Sequence, residues 1–240
     1  MTASAAPLRD VDLRGALTDT IARRYRGREH LLAPEVEILC GIPGRIDALL
    51  IADKICGFEI KSDVDSLRRL PRQLQAYEPV LERAILIVGD RHLEAGGALL
   101  PPWWGIWRAH RRGDRVVLDV QRPARPNPEF YTYGVTRFID RQAIALHMRT
   151  LGRSGYSKYG VDELRSQLVK IHTRGEILAL ARWVMRARGD WRYRDGAIMH
   201  PPNPSPEERA RVPSWYRPAR CGCPVCEKTA PPTKSTVVYR

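Results

Sequence analysis

The sequence predicts an α/β protein, and three observations carry that reading. Apolar positions switch along the chain between the two-residue period of strands and the 3.6-residue period of helices. Over about the first 122 residues the resulting order is α-β-β-β-α-β-α-β-β. One run, AILIVGD, is wholly apolar and ends in Gly-Asp, the pattern of a strand buried on both faces.

VDLRGALTDTIARRYRG spaces Leu13, Leu17, Ile21 and Tyr25 about one turn apart, which predicts a helix ending near Gly27. EVEILC reads as a short strand. RIDALLI and ICGFEIK read as two more, joined by a tight Ala52-Asp53-Lys54 connection. In DSLRRLPRQLQAYEPVLE, Leu67, Leu70, Leu74, Tyr77 and Leu81 fall at helical spacing, with Pro71 either kinking the helix or marking its first turn. After AILIVGD come a weak helix around HLEAGGALL and strands at WGIWRAH and RVVLDVQR.

Residues 123–136, PARPNPEFYTYGVT, form a Pro- and Tyr-rich connector. Residues 137–190 carry three short helical patterns: RFIDRQAIALHMRTLG, VDELRSQLVKIH and TRGEILALARWVMRARG. The third opens on a capping box, Thr173 with Glu176 three residues on, and stops at Gly189. Residues 191–240 are a Pro-rich tail that contains RCGCPVCEK. The expected division is a core over 1–122, a connector, a small helical appendage and this tail.

At 240 residues, 43% hydrophobic and 28% charged, the chain has the composition of a soluble globular protein able to bury a real core. Its 40 Lys+Arg exceed its 27 Asp+Glu, a formal net charge of +13. That excess points to a polyanionic partner, nucleic acid before membrane, because Lys and Arg gain free energy by releasing counterions from phosphates. A basic but uninvolved surface would give the same count. No apolar run approaches membrane-spanning length, and MTASAAPLRDVDLRG lacks the pattern of a signal peptide. Five cysteines, three crowded together, do not resemble a secreted disulfide framework, so a cytoplasmic protein is expected.

The chemistry concentrates in GRIDALLIADKICGFEIKSD, where charges sit inside strand-like segments. Residues two apart on a strand share a face, so Glu59 and Lys61 point one way and Phe58 and Ile60 the other. A three-residue loop of Ala52-Asp53-Lys54 pairs Ile51 with Ile55 and sets Asp47 across from Glu59. A two-residue Asp53-Lys54 loop would set Asp47 beside Ile60. Two carboxylates and an ammonium on one face suit a hard divalent cation, Mg²⁺ or Mn²⁺, which takes oxygen ligands. The bland alternative is a solvated, salt-bridging strand face, for which E-x-K is common.

With these surroundings the segment resembles the PD-(D/E)XK nuclease superfamily, whose core is α-β-β-β-α-β with an acidic residue on the second strand and E-x-K on the third. The resemblance covers roughly residues 10–122. It implies that Asp47 and Glu59 are metal ligands, that Lys61 is the catalytic lysine, and that Glu35 or Glu37, preferably Glu35, is a further acidic ligand. The "PD" proline is absent, since Ile46 precedes Asp47. In RRLPRQLQAYE, Arg69, Gln73 and Tyr77 are four apart, and Q-x-x-x-Y here is similar to the motif of RecB-like members, in which the glutamine supports the site. The block through GFEIKSD, RLPRQLQAY and PPWWGIW looks like a little-characterised bacterial and phage branch of that superfamily.

Arg69, Arg111, Arg112 and Arg115 are candidate phosphate contacts, and PPWWGIW offers tryptophans that would stack on bases if exposed. Cys221, Cys223 and Cys226 are three soft ligands within six residues, a candidate structural Zn²⁺ site. The fourth ligand would be His200, Cys40, Cys56 or a second subunit. An iron–sulfur cluster or no metal at all are the alternatives. The expected function is a Mg²⁺- or Mn²⁺-dependent nuclease acting on DNA with little sequence specificity; with one active site per chain, cutting both strands takes a homodimer or two successive nicks. The alternative is a nuclease-fold DNA-binding module without catalysis, its last two helices forming a helix-turn-helix near Gly175.

Overall fold

The computed structural model describes residues 6–38, 40–188, 193–194 and 197–198. The chain divides into two units, Met1–Tyr131 and Thr132–Arg240, a division that falls inside the stretch expected to be a connector.

The first unit runs α1 (Asp10–Arg24), β1 (Leu31–Ile38), β2 (Gly44–Ile51), β3 (Ile55–Lys61), α2 (Leu70–Tyr77), β4 (Arg83–Val88), α3 (Asp90–Leu99), β5 (Gly105–Arg112) and β6 (Arg115–Arg122). The order is the one the periodicities predict. Its six strands form one mixed sheet in sequential order: β1–β2, β2–β3 and β5–β6 are antiparallel, β3–β4 and β4–β5 parallel. Each parallel step is crossed by a helix, as it must be. AILIV supplies all of β4 after Arg83; the strand is hydrogen-bonded on both sides and has every residue from Ala84 to Val88 buried.

Strand parity sorts the side chains into layers. Ala48, Leu50, Phe58, Ile60, Ile85, Ile87 and Trp107 join Leu13, Leu17 and Ile21 of α1 in one buried cluster, so α1 covers that face. Leu86 and Val88, which alternate with Ile85 and Ile87, meet Gly96 of α3 on the other face. Gly57, which alternates with Phe58, lies under Leu81 just beyond α2. Helices α2 and α3 therefore cover the face opposite α1. Glu59 and Lys61 have the parity of Gly57 and belong to the α2 side, between two apolar residues that face α1.

The β2–β3 hairpin has the three-residue connection. Ile51 pairs with Ile55, Leu50 with Cys56, Leu49 with Gly57 and Ala48 with Phe58, and the next step outward is Asp47 with Glu59. In β1, Pro34 stands on the sheet edge, where a missing N–H is tolerated. Glu35 after it has φ +55°, and it falls between the pairs Pro34–Ala48 and Val36–Ile46.

Helix α2 is shorter than the apolar spacing predicts. Asp65 accepts the Ser62 N–H (2.8 Å) and Ser66 accepts the Arg68 N–H (3.2 Å), so these side chains stabilise a turn rather than helix. A 3-10 turn over Leu67–Arg69 leads in, and Pro71 sits in the first turn, where its lack of an N–H costs nothing. Pro79 cannot donate, and the helix stops at Tyr77. Leu81 remains fully buried outside it.

Residues beyond β6 are stitched onto the first unit. The Arg125 N–H donates to the Trp103 carbonyl (2.8 Å), and the buried Asn127 amide donates to the carbonyls of Glu78 (2.7 Å) and Leu81 (2.9 Å). The second unit contains α4 (Thr132–Val135), α5 (Arg141–Thr150), α6 (Val161–Ile171), α7 (Arg174–Arg188) and a two-stranded ladder of β7 (Tyr193–Arg194) and β8 (Ala197–Ile198). Ile144, Met148, Leu164, Leu168, Ile177 and Ala181 are fully buried among its helices. The capping box is present: the Thr173 N–H donates to Glu176 Oε2 (2.8 Å) and the Glu176 N–H to Thr173 Oγ1 (3.3 Å). Burial and the neighbouring His172, 2.7 Å away between the Nε2 atoms, push His147 down to about 4, so it is neutral at physiological pH. Among the described residues no helix is long and apolar enough to cross a membrane.

Gly57 is where the packing of this sheet tolerates least. A Cβ there would lie 2.3 Å from Ile46 Cδ1 and 2.5 Å from Leu81 Cδ1, both in the core. Gly57→Ala should destabilise the protein by about 1–3 kcal/mol through overpacking, read as a lower urea midpoint with an unchanged m-value.

Candidate functional site

Strand β3 delivers Glu59 and Lys61 to the α2 face because they are two residues apart. Glu59 is 0% exposed and Lys61 5%. Lys61 Nζ donates to Glu59 Oε1, while Glu59 Oε2 is buried without a hydrogen-bond partner. Tyr77, fully buried on α2, lies beside this carboxylate, but its one hydroxyl proton goes to the Arg45 carbonyl (2.7 Å). Burial first, then the Asp47 charge, push Glu59 up to about 7, against the opposing pull of Lys61. Lys61 therefore offsets only part of the cost of burying this carboxylate.

Asp47, on β2, is half-buried. Its Oδ2 accepts the Ile60 N–H (2.7 Å), a bond from carboxylate to strand that continues the β2–β3 pairing beyond Ala48. Burial raises its pKa above the ordinary carboxylate value, opposed by that N–H and by Arg14. Arg14 is the site residue the sequence reading missed. From α1 its Nη2 lies 3.0 Å from Asp47 Oδ1 and 2.7 Å from Glu35 Oε1, its Nη1 donates to the Asp47 carbonyl (3.0 Å), and its Nε meets Asp10 Oδ2 (2.6 Å). Glu35 is also held by Arg45 Nε (2.8 Å), whereas Glu37 is exposed. Signals for Arg14 existed: it sits four residues after Asp10, and it flanks Leu13 on the buried stripe of α1.

The structure thus brings Asp47, Glu59 and Lys61 into one electrostatic group and ties Glu35 to it through Arg14. Gln73 is half-buried; its Nε2 is 3.5 Å from the Tyr77 hydroxyl and its Oε1 is buried without a partner. Arg69 is exposed just before α2. Arg112 and Arg115 are exposed and face each other across the Gly113-Asp114 turn, where Gly113 has φ +61°. Arg111, at the same hairpin, lies 3.5 Å from Asp12 in the first turn of α1.

As a cation site the group is mixed. A buried, unpartnered Glu59 oxygen and the adjacent Asp47 carboxylate are oxygen donors that fit Mg²⁺ or Mn²⁺. Glu35 does not converge on them, because the Arg14 guanidinium stands between Glu35 and Asp47. Among the described residues no three His, Cys, Asp or Glu side chains form a metal-holding group. Cys221, Cys223, Cys226 and His200 lie outside the described residues. Cys56 is a poor fourth zinc ligand, since burial pushes its thiol up to about 12 and zinc needs the thiolate. Trp103, Trp104 and Trp107 are all buried, so they are not the exposed base-stacking platform considered from PPWWGIW. His92 Nε2 donates to the Asp65 carbonyl (3.0 Å), in the turn after Lys61.

The model of the family described as bacteriophage P4 protein cII matches residues 24–149, a little over half of the chain. The match includes Glu35, Asp47, Glu59, Lys61 and Gln73, and begins after Arg14. No curated protein matches. Among solved structures, a protein of unknown function from Silicibacter pomeroyi is similar at 21% identity, covering 49% of this chain and 75% of its own, with a TM-score of 0.34.

The raised pKa of Glu59 has a measurable sign. The folded chain holds this proton up to about pH 7, the unfolded chain only to about 4.5. The associated stability is full below 4.5 and lost as pH rises through 7, by roughly 3 kcal/mol in all. In metal-free protein the thermal midpoint of Glu59→Gln should therefore gain on wild type as pH is raised across that window. Parallel pH profiles of the two would show Glu59 to be ionised throughout.

Proposed function

We propose that this chain, which belongs to the bacteriophage P4 protein cII family, is a Mg²⁺- or Mn²⁺-dependent nuclease that hydrolyses DNA phosphodiester bonds with little sequence specificity. The observation that carries the reading is Glu59: a carboxylate at 0% exposure, one oxygen unpartnered, coupled to the charges of Asp47 and Lys61. A strand that needed only a salt bridge would place it in solvent. A buried acidic pair is expensive unless something positive joins it. The likeness to PD-(D/E)XK nucleases supports the same assignment, because the acidic residue is on the second strand and E-x-K on the third, within α-β-β-β-α-β.

In this reading Asp47 and Glu59 hold the cation. Bound there, it would lower the pKa of a water and balance negative charge on the phosphate. Asp47 is fixed for this by the Ile60 N–H, which immobilises one oxygen and leaves the other directed at Arg14. As a ligand Glu59 would be ionised, which its pKa of about 7 allows. Lys61, held by Glu59 Oε1, keeps its remaining N–H donors for the attacking water or a phosphate oxygen. Gln73 supports the wall through Tyr77, with its free carbonyl oxygen available to a water. Exposed Arg69, Arg112 and Arg115 contribute to phosphate binding, which the net charge of +13 favours.

A second reading is a DNA-binding module without catalysis. It rests on α6 and α7, which are separated by two residues, His172 and Thr173, and joined through the capping box. Supercoiled plasmid and a labelled single-stranded oligonucleotide, incubated with Mg²⁺, with Mn²⁺ and with EDTA, separate the two. The nuclease reading expects metal-dependent cleavage that is lost in a folded Lys61→Ala while DNA binding persists. Binding without cleavage by either protein, weakening steeply with salt, would establish the module.

Metal binding should also report the Glu59 proton. Mn²⁺ affinity is expected to rise with pH up to about 7 and then level, with up to one proton released per ion below that pH. Calorimetry in two buffers of different ionisation enthalpy measures the release, and Glu59→Gln should abolish it.

A further inference from the structure

The cluster already contains a cation on Asp47, one of the two carboxylates a divalent ion would use. Arg14 Nη2 is shared between Asp47 Oδ1 (3.0 Å) and Glu35 Oε1 (2.7 Å), and Nη1 is bonded to the Asp47 carbonyl. The other Asp47 oxygen is committed to the Ile60 N–H. A metal ion on Asp47 would thus share an oxygen with an existing donor, and wherever it sits on this carboxylate it stands close to the Arg14 guanidinium, a second cation that repels it.

We propose that Arg14 is a built-in competitor for the divalent cation, setting the metal affinity of the nuclease site by occupying Asp47 until the ion displaces it. The inference rests on the nuclease reading above. Three features of the geometry distinguish a displaceable guanidinium from a structural one. Arg14 is 29% exposed, so it has a route to solvent. Its Nε is anchored to the exposed Asp10 (2.6 Å), four residues back on the same helix, which gives the side chain a place to remain when it swings off Asp47. Glu35 keeps Arg45 (2.8 Å) after Arg14 leaves, whereas Asp47 loses its direct cationic partner. Displacement thus exposes one carboxylate, Asp47, beside the buried oxygen of Glu59, and leaves Glu35 neutralised. Glu35 then acts by positioning Arg14 rather than as a ligand.

Arg14 also makes the metal-free site stable. Without it, Asp47 and Glu35 face each other with only Arg45 and Lys61 to offset them. Removing Arg14 should have opposite effects on the two states, weakening the metal-free fold and strengthening metal binding. A purely structural arginine would weaken both.

The test is Mn²⁺ binding, by calorimetry and by the electron-spin signal of free Mn²⁺, on intact wild type, Arg14→Gln and Asp47→Asn at a pH above 7. Arg14→Gln is expected to bind Mn²⁺ about 10–100-fold more tightly than wild type, a gain as large as the losses seen when groups that support metal ligands are removed. Its thermal midpoint should be lower without metal and rise more steeply with Mn²⁺. Equal or weaker binding by Arg14→Gln, with wild type binding and Asp47→Asn impaired, overturns the inference and leaves the metal site standing. Should neither wild type nor Arg14→Gln bind Mn²⁺, the nuclease reading falls and this inference with it. If Arg14→Gln does not fold alone, folding on addition of Mn²⁺ supports the proposal, and failure to fold at saturating Mn²⁺ overturns it.

Discussion

The buried carboxylate of Glu59 is the constraint around which the first unit is arranged. Moving an ionised carboxylate out of water costs several kcal/mol even after relaxation, and one ammonium in good contact offsets only part of it. Lys61 supplies that contact from two residues along the same strand, yet Glu59 still titrates near 7. The charges within reach are four carboxylates, Asp10, Glu35, Asp47 and Glu59, against three cations, Arg14, Arg45 and Lys61. With all seven charged the group is one positive charge short, and Glu59, its most buried carboxylate, has its pKa raised to about 7. A dication would enter such a group most easily if a proton leaves one side and Arg14 retreats from the other.

Sheet geometry makes that arrangement attainable at little cost elsewhere. Parity sends Phe58 and Ile60 into the apolar cluster beneath α1, where each fully buried side chain contributes about 1.5–3 kcal/mol. The same parity sends Glu59 and Lys61 to the α2 side. The odd-numbered hairpin then brings Asp47 to the level of Glu59. Had the loop been two residues long, Asp47 would have met Ile60 and the core would have gained an unmatched charge.

That much was legible in the sequence, because it depends on counting: loop length, strand alternation and the spacing of E-x-K determine it. The order of elements along the chain and the capping box at Thr173 follow from equally local rules. What was not legible depends on contacts distant along the chain. Arg14 is 33 residues from Asp47, and its place beside Leu13 and four residues after Asp10 does not say which carboxylate of the sheet it reaches. The predicted α2 was too long at both ends because the side chains of Asp65 and Ser66 at its start, and Pro79 at its end, outweighed an apolar spacing that runs from Leu67 to Leu81. The tryptophans of PPWWGIW looked available to bases, but a sheet with helices on both faces absorbs all three.

Glu35 shows why such a site leaves a trace in the backbone as well as in the charges. A residue with a Cβ at φ +55° is strained by about 1–2 kcal/mol relative to extended backbone, and a glycine would relieve it. The strain occurs where β1 and β2 would otherwise pair Glu35 with Asp47, two carboxylates directly across a ladder, an arrangement that is itself repulsive. Turning the backbone at Glu35 goes with a carboxylate that two arginines hold. The distortion is therefore better understood as the cost of keeping Arg14 between Glu35 and Asp47 than as an accident of the sheet edge.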